Sequence, residues 1–139
     1  MGTVSRHSGI DVIESDECKK LLAQDVIGRI AVVIGATPMI FPVNYALDGD
    51  DIIIRTMPGS RLDVGQGLAA FEVDSFDRAR KSGWSVLATG HLEEVTDPER
   101  INASPVVPWP SGERSLCLRL RPSFVTGRVV GGDETGMSA

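Results

Sequence analysis

The sequence predicts one mainly β domain, a closed or nearly closed antiparallel barrel of six or seven strands with short peripheral helices. The first observation is length, because 139 residues suit a single domain with a sizeable core. The second is pattern, because short segments that alternate apolar and polar residues recur along the chain, with turn residues between them. The third is that helical patterns are few and short.

Two helices are predicted. The first begins at Ser15, whose hydroxyl suits a helix cap, and two acidic residues follow it near the positive end of the helix dipole. It is predicted to end at about Gln24. The second is short and follows Thr96 or Asp97 as its cap, with Pro98 in its first turn.

The predicted strands account for most of the remaining chain. They are Gly28–Ile34, Met39–Leu47, Asp51–Thr56, Ala69–Phe76, Trp84–Val95, Arg114–Arg121 and a last strand over Phe124–Val130. Pro42 lies inside the second of them and cannot donate to a strand neighbour, so an edge or a bulge is expected there. In Arg114–Arg121 the three leucines are predicted to face inward, whereas Cys117, Arg119 and Arg121 face outward, where the arginines solubilise the sheet.

Composition excludes several classes of function. The net charge of -5 and the pI of about 5.0 argue against nucleic acid as a partner. No 18-residue apolar run is present, so no membrane partner is expected, and the N-terminus lacks a secretory signal. Two cysteines predict free thiols in a reducing cytoplasm, and a single bridge between Cys18 and Cys117 is the alternative that the sequence leaves open. We expect residues 1–12 and 131–139 to be flexible and residues 13–130 to form the domain.

The stretch "RTMPGSRL", residues 55–62, is the strongest candidate site. Arg55 and Thr56 end a predicted strand, and Gly59 lets backbone N–H groups approach an anion closely. Ser60 offers a hydroxyl, and Arg61 can bind phosphate oxygens with two parallel hydrogen bonds. An ordinary hairpin turn with surface arginines explains the same spacing equally well.

Other motifs are weaker. Gly65–Ala70 reads G-x-G-x-x-A, but a predicted strand follows it, whereas a dinucleotide fingerprint opens a helix. No metal site is predicted, because His7 and His91 stand alone and no C-x-x-C or H-E-x-x-H occurs. Neither a G-x-S-x-G elbow nor a P-loop is present. No side chain stands out as a catalytic acid, base or nucleophile.

An ordered set of segments resembles the pyridoxamine 5'-phosphate oxidase-like flavoproteins, split β-barrels that bind FMN, and most of all the short branch that includes nitroimidazole-reductase-like proteins. The segments are "GRIAVV", "PMIFPVNYALDGDDIIIRT", "GSRL", "AFEVDSFD", "GWSVLATGHLEEV", "PW" and "TGRVV". They extend from about Leu21 to Arg128, which is most of the chain.

The resemblance implies a homodimer with an FMN site shared between its two subunits. It places the flavin ring along the backbone of Pro42, Val43 and Asn44. It assigns the ribityl phosphate to Arg55, Thr56, Ser60 and Arg61. It also implies that the partner contributes Ser85, beside Trp84, and that Trp109 lies in a loop that closes over the flavin.

Departures from the family pattern limit what the resemblance implies. Leu62 stands where the oxidases have a lysine, so one phosphate-directed charge is missing, although Leu62 also suits a core position in a short helix. The segment "DVGQGLAAFEV" is rich in glycine where relatives have a regular helix. The oxidase's C-terminal substrate-binding segment is not recognisable, so oxidation of pyridoxamine phosphate is not the expected activity.

Two classes of function follow from the resemblance. The first is an FMN-dependent oxidoreductase that acts on a small-molecule substrate, with the hydride chemistry supplied by the flavin. The second is a non-catalytic protein, either a binder of flavin, a deazaflavin or haem, or a dimer whose site is empty. The single strand histidine, His91, is the only support for haem.

Overall fold

The computed structural model describes residues 3–7, 10–57, 59, 62, 67–108 and 116–131. Its strands are β1 (Thr3–His7), β2 (Ile10–Ile13), β3 (Ile27–Ile34), β4 (Thr37–Asp48), β5 (Asp51–Thr56), β6 (Gly67–Asp77), β7 (Ser82–Glu94) and β8 (Leu116–Gly131). Its helices are α1 (Ser15–Leu22) and α2 (Pro98–Asn102). None of the helices in the described ranges is both long enough and apolar enough to cross a membrane.

Strands β3 to β8 form a closed antiparallel ring in the order β8-β5-β4-β3-β6-β7, and β7 pairs with β8 to close it. The first part of β8 pairs with β5, as in the pair Ile54 and Leu118. The last part pairs with β2 instead, as in the pair Ile13 and Gly127. The long strand β8 therefore pairs with β5 along its first part and with β2 along its last part. This change of partner makes the barrel a split barrel, as predicted.

The barrel interior holds the main core. Alternate residues of each strand face inward, since successive side chains of a strand point to opposite faces. The fully buried side chains of this core include Ile30, Ile52, Ile54, Phe71, Val73, Val86, Leu92, Leu118 and Leu120. A second, smaller cluster of Ile53, Val95, Val106 and Cys117 lies outside the ring, with Ile101 of α2 packed against it.

Helix α1 packs beside β8 at a close approach. The Sγ of Cys18 lies 2.6 Å from where a Cβ on residue 127 would stand, so only glycine fits at Gly127. The predicted cap at Ser15 was wrong: Glu14 is the N-cap, its side chain makes no capping hydrogen bond, and Ser15 is the first helical residue. The second predicted cap is confirmed, because Asp97 accepts a hydrogen bond from the Glu99 N–H.

No strand was predicted before Gly28, whereas the structure has β1 and β2 there, and β8 is one strand rather than two. A separate last strand was predicted from Phe124, but the register between β7 and β8 shifts at this point, so that Gly90 pairs with Pro122 and Thr89 with Phe124. The extra residue, Ser123, makes a β-bulge that accommodates the proline while the strand continues. Gly90 is required at this bulge, because a Cβ on it would lie 1.9 Å from the Arg121 carbonyl oxygen.

Candidate functional site

The edge of β4 at Pro42 is the first part of the candidate site. Strand β4 pairs with β3 from Thr37 to Asn44, but with β5 only from Tyr45 onward. Phe41, Pro42 and Val43 therefore border β3 on one side and, among the described residues, no strand on the other. The prediction of an edge at Pro42 is confirmed. A flat ring can lie along such a backbone edge.

The end of β5 lies next to this edge. The last β4–β5 pair joins Tyr45 to Ile54. Asn44 and Arg55, the next residue on each strand, are therefore the first at which the two strands are no longer paired. Arg55 and Thr56 remain paired with β8, and Gly59 adopts a left-handed φ of 77° that suits the predicted turn. The geometry brings the predicted ring segment next to Arg55 and Thr56, the described part of the predicted phosphate segment.

The side chains of these segments divide between the two faces of the sheet. Ile52 and Ile54 are in the main core, so Arg55 points to the outer face of the barrel. Its Nη1 donates a hydrogen bond to the Ile101 carbonyl oxygen of α2 at 3.4 Å. Pro42 and Asn44 alternate with core-facing neighbours and share that outer face, where the Asn44 Nδ2 donates to the Val26 carbonyl oxygen at 3.3 Å.

Trp84 and Ser85 lie elsewhere in the same chain. They pair with Val129 and Arg128 on β8, whereas Arg55 pairs with Cys117. By the shorter route, Pro42 pairs with Arg29, Arg29 with Glu72 and Glu72 with Leu87, so Ser85 lies three strands away and two residues along. At about 4.8 Å per strand and about 3.3 Å per residue, this is about 16 Å. Trp84 packs against the main core, and Ser85 points to the outer face. One chain alone does not bring these two residues to the Pro42 edge.

Several predicted residues fall outside the described ranges or outside the site. Ser60, Arg61 and Trp109 lie outside the described residues. Leu62 is 4% exposed and belongs to the main core, so its position is explained by packing rather than by a missing phosphate contact. His91 is exposed on β7.

The sequence reasoning missed a charged cluster beside Pro42. Arg29 is the register partner of Pro42 on one side and of Glu72 on the other. Its Nη1 lies 3.2 Å from the Glu72 Oε1 and 3.4 Å from the Asp74 Oδ2, so one guanidinium nitrogen contacts two carboxylates. The pKa of Glu72 is raised to about 7, chiefly by burial and also by the Asp74 carboxylate, against the opposing effect of Arg29. The alternation in "AFEVDSFD" already placed both acids on one face, but not Arg29.

An outer apolar face adjoins this cluster. It consists of Ala31, Val33, Pro38, Ile40, Leu68 and Ala70, on β3, β4 and β6. Ala31 pairs with both Ile40 and Ala70, so the three strands carry one continuous row. The relative exposures of Val33, Ile40 and Leu68 are 60%, 68% and 79%. Contiguous apolar patches are uncommon on monomeric proteins and mark interaction surfaces.

A cleft of about 570 Å³ separates α2 from the outer face of β5 and β8. Cys117 forms part of its floor, and burial raises the pKa of this thiol, an effect that Arg55 and Arg119 partly offset. The prediction of Arg119 as a solubilising surface group was wrong. Its side chain is 12% exposed, its Nη2 donates to the Glu93 Oε2 at 2.6 Å, and its Nε lies 3.8 Å from the Asp51 Oδ2.

Comparison with known proteins decides the family. The profile of the pyridoxamine 5'-phosphate oxidase family matches residues 14–129, which include β3 to β7 and all of β8 except its last two residues. The chain belongs to the pyridoxamine 5'-phosphate oxidase family. An uncharacterized protein of Mycobacterium tuberculosis is 32% identical to it over 94% of each chain.

Solved structures of other family-like proteins share the fold. An FAD-binding protein of Mycobacterium smegmatis is 27% identical, with a TM-score of 0.69 over 86% of this chain and 97% of its own. A Bacteroides thetaiotaomicron protein with a proposed role in 5-nitroimidazole antibiotic resistance has a TM-score of 0.71 at 13% identity, over 94% of this chain and 99% of its own. The second likeness is one of fold.

Proposed function

We propose that the protein binds a flavin, with FMN as the first candidate, and acts as a flavin-dependent oxidoreductase on a small molecule. The observation that carries this proposal is the separation of β4 from β5. It leaves the backbone edge at Pro42 beside the end of β5, where Arg55 lies on the same outer face. These residues fit a flavin, because a flat ring needs an accessible backbone edge and a phosphate needs cations and a turn nearby.

The protein's own residues bind and orient the cofactor. The β4 edge from Phe41 to Val43 supports the ring, and the turn after Thr56 holds the phosphate through Ser60 and Arg61. The flavin supplies the hydride chemistry when it is bound. The resemblance assigns Trp109, which lies outside the described residues, to the cover of the ring. We assign no catalytic residue, because the acids beside this edge, Glu72 and Asp74, are both in contact with Arg29.

Two subunits are needed to complete the site. Ser85 is distant from the Pro42 edge within one chain, and a second copy seated on the outer apolar face supplies it there. Formation of this dimer also buries the exposed side chains of Val33, Ile40 and Leu68. A symmetric homodimer with two equivalent sites results, because a two-fold interface uses the same patch on both subunits.

FAD is the second candidate for the flavin. It is favoured by the Mycobacterium smegmatis relative, which binds FAD and is 27% identical to this chain. Its adenosine half needs a surface beyond the phosphate turn, whereas FMN ends at that turn. A cytoplasmic location is part of the proposal, since Cys18 and Cys117 are free thiols, as in a reducing compartment.

Cofactor titration tests this proposal. The chain has two tryptophans, Trp84 and Trp109, and both belong to the proposed site, so quenching of their fluorescence reports flavin binding. We expect FMN to quench and to bind more tightly than riboflavin, which lacks the phosphate. Tighter binding of FAD than FMN would favour the second candidate. Binding of a deazaflavin or haem, with no quenching by any flavin, would overturn the proposal.

A further inference from the structure

The Arg29–Glu72–Asp74 cluster places two carboxylates on one cation. Glu72 and Asp74 are two residues apart on β6 and therefore point to the same face. The Arg29 Nη1 contacts both, at 3.2 Å and 3.4 Å. Their side chains are 31% and 25% exposed, so both are partly withdrawn from water. With both acids ionised the cluster carries one uncompensated negative charge, and with one proton bound it is neutral.

The cluster borders the outer apolar face. Arg29 and Glu72 occupy the row next to Ala31 and Ala70, and the register pairs both rows across β3 and β6. Asp74 pairs with Ser85, the residue that the proposed dimer brings to the partner's site. A second copy seated on the apolar face therefore covers the cluster as well.

We propose that the Arg29–Glu72–Asp74 cluster makes dimer formation proton-linked, so that two subunits associate more tightly below neutral pH than above it. The inference rests on the proposed homodimer and adds its regulation. Covering an uncompensated charge costs free energy, because the dimer interface removes water that solvates it. Uptake of one proton by the carboxylate pair removes that charge and its cost.

The sign of the linkage follows from proton binding. Glu72 already has a pKa raised to about 7 in the single subunit, by burial and by Asp74. Further burial in the dimer raises it again, so association takes up protons. A complex that binds more protons than its parts is favoured as the pH falls and weakened as it rises.

The neighbouring strands add little charge to the cluster. Pro42 of β4 and Leu87 of β7 flank Arg29 and Glu72, and Ser85 flanks Asp74. Arg128 lies one strand further, paired with Ser85. His91 is on the same face beside Leu68, outside the cluster.

Analytical ultracentrifugation of the full chain at constant ionic strength tests the proposal. We expect the dimer dissociation constant to increase about tenfold or more between about pH 6 and about pH 8.5, which lie on either side of the Glu72 pKa. Glu72→Gln keeps the cluster neutral, so this variant should stay dimeric with little pH dependence. Asp74→Asn leaves Glu72 and Arg29 as a neutral pair and should also remain dimeric at high pH.

Matched controls separate the possible outcomes. Glu99→Gln, on α2 and away from this face, should keep the wild-type pH dependence, and His91→Gln should not abolish it. A wild-type dimer whose dissociation constant does not change with pH would overturn this inference but not the proposed dimer. The same holds if Glu72→Gln and Asp74→Asn both keep the wild-type pH dependence. A monomer at every pH would overturn the proposed dimer itself.

Discussion

The ring of Phe71 fills the space where a side chain on residue 28 would stand. A Cβ on Gly28 would lie 2.2 Å from the Phe71 Cζ, and the ring is fully buried. The Tyr45 ring meets the same phenylalanine edge to face, with centroids 4.7 Å apart. Gly28 pairs with Val43, so this close packing lies directly inside the β4 segment that forms the candidate site.

Gly28→Ala should therefore destabilise the fold. The added methyl forces the Phe71 ring or the β3 backbone to shift, and overpacking of a close-packed core typically costs about 1–3 kcal/mol. Guanidinium denaturation measures the loss in free energy of unfolding. The double variant Gly28→Ala with Phe71→Leu should lose less than the sum of the single variants, because leucine frees part of the space. Strict additivity would contradict the contact.

Tyr45 should ionise only well above the usual range for tyrosine. Burial raises its pKa, the Asp25 charge raises it further, and its hydroxyl donates to the Leu22 carbonyl oxygen. Since Tyr45 is the one tyrosine in the chain, absorbance titration reports it without interference. A raised pKa contributes stability that is complete below the unfolded pKa of about 10 and is lost as the pH rises through the folded value. Phenolate formation in folded protein near pH 10 would contradict this.

Leu62→Lys should destabilise the protein rather than improve FMN binding through an added charge. Leu62 is buried in the main core, and a buried, unpaired ammonium is among the most damaging substitutions, so we expect a loss of about 3 kcal/mol or more. Thermal and denaturant unfolding measure it. Leu62→Met preserves volume and should cost less than about 1.5 kcal/mol. If Leu62→Lys binds FMN more tightly and its melting temperature is unchanged, then residue 62 lies near the phosphate, as the family pattern implies.

Leu68→Lys should weaken the proposed dimer and leave the subunit folded. Leu68 is 79% exposed on the outer apolar face, so a lysine there remains solvated in the monomer but becomes a covered charge in the dimer. Light scattering measures the mass at several concentrations, and circular dichroism checks the fold. Val107→Lys is the matched control, because Val107 is 74% exposed but lies outside that face. Equal masses for both variants would count against this face as the interface.

Arg61→Ala should reduce FMN affinity about tenfold or more. A hydrogen bond to a charged group is worth about 1.5–3 kcal/mol, and the resemblance assigns Arg61 to the phosphate. Arg78→Ala, in the exposed turn after β6, is the control and should bind FMN as the wild type does. Riboflavin should not distinguish the variants. Similar losses in both would mean that the phosphate lies elsewhere.

Local chemistry made much of the fold predictable. The strands from Gly28 to Glu94 have ends within two residues of the predicted ones, because alternation and turn residues act on short segments of chain. The cap at Asp97 and the edge at Pro42 were predictable for the same reason. The bulge that carries β8 past Pro122 was not, because it depends on the register with β7.

The candidate site divides in the same way. The sequence by itself determined which residue types stand at the end of β5 and along β4, and it placed Glu72 and Asp74 on one face. Only the tertiary structure decided that Arg29 reaches both acids across 43 and 45 positions of sequence, that Arg119 is largely withdrawn from solvent by two acids, and that Leu62 is core. The physical reason is that strand pairing and barrel closure are long-range contacts, so residues distant in sequence become neighbours only when the ring closes.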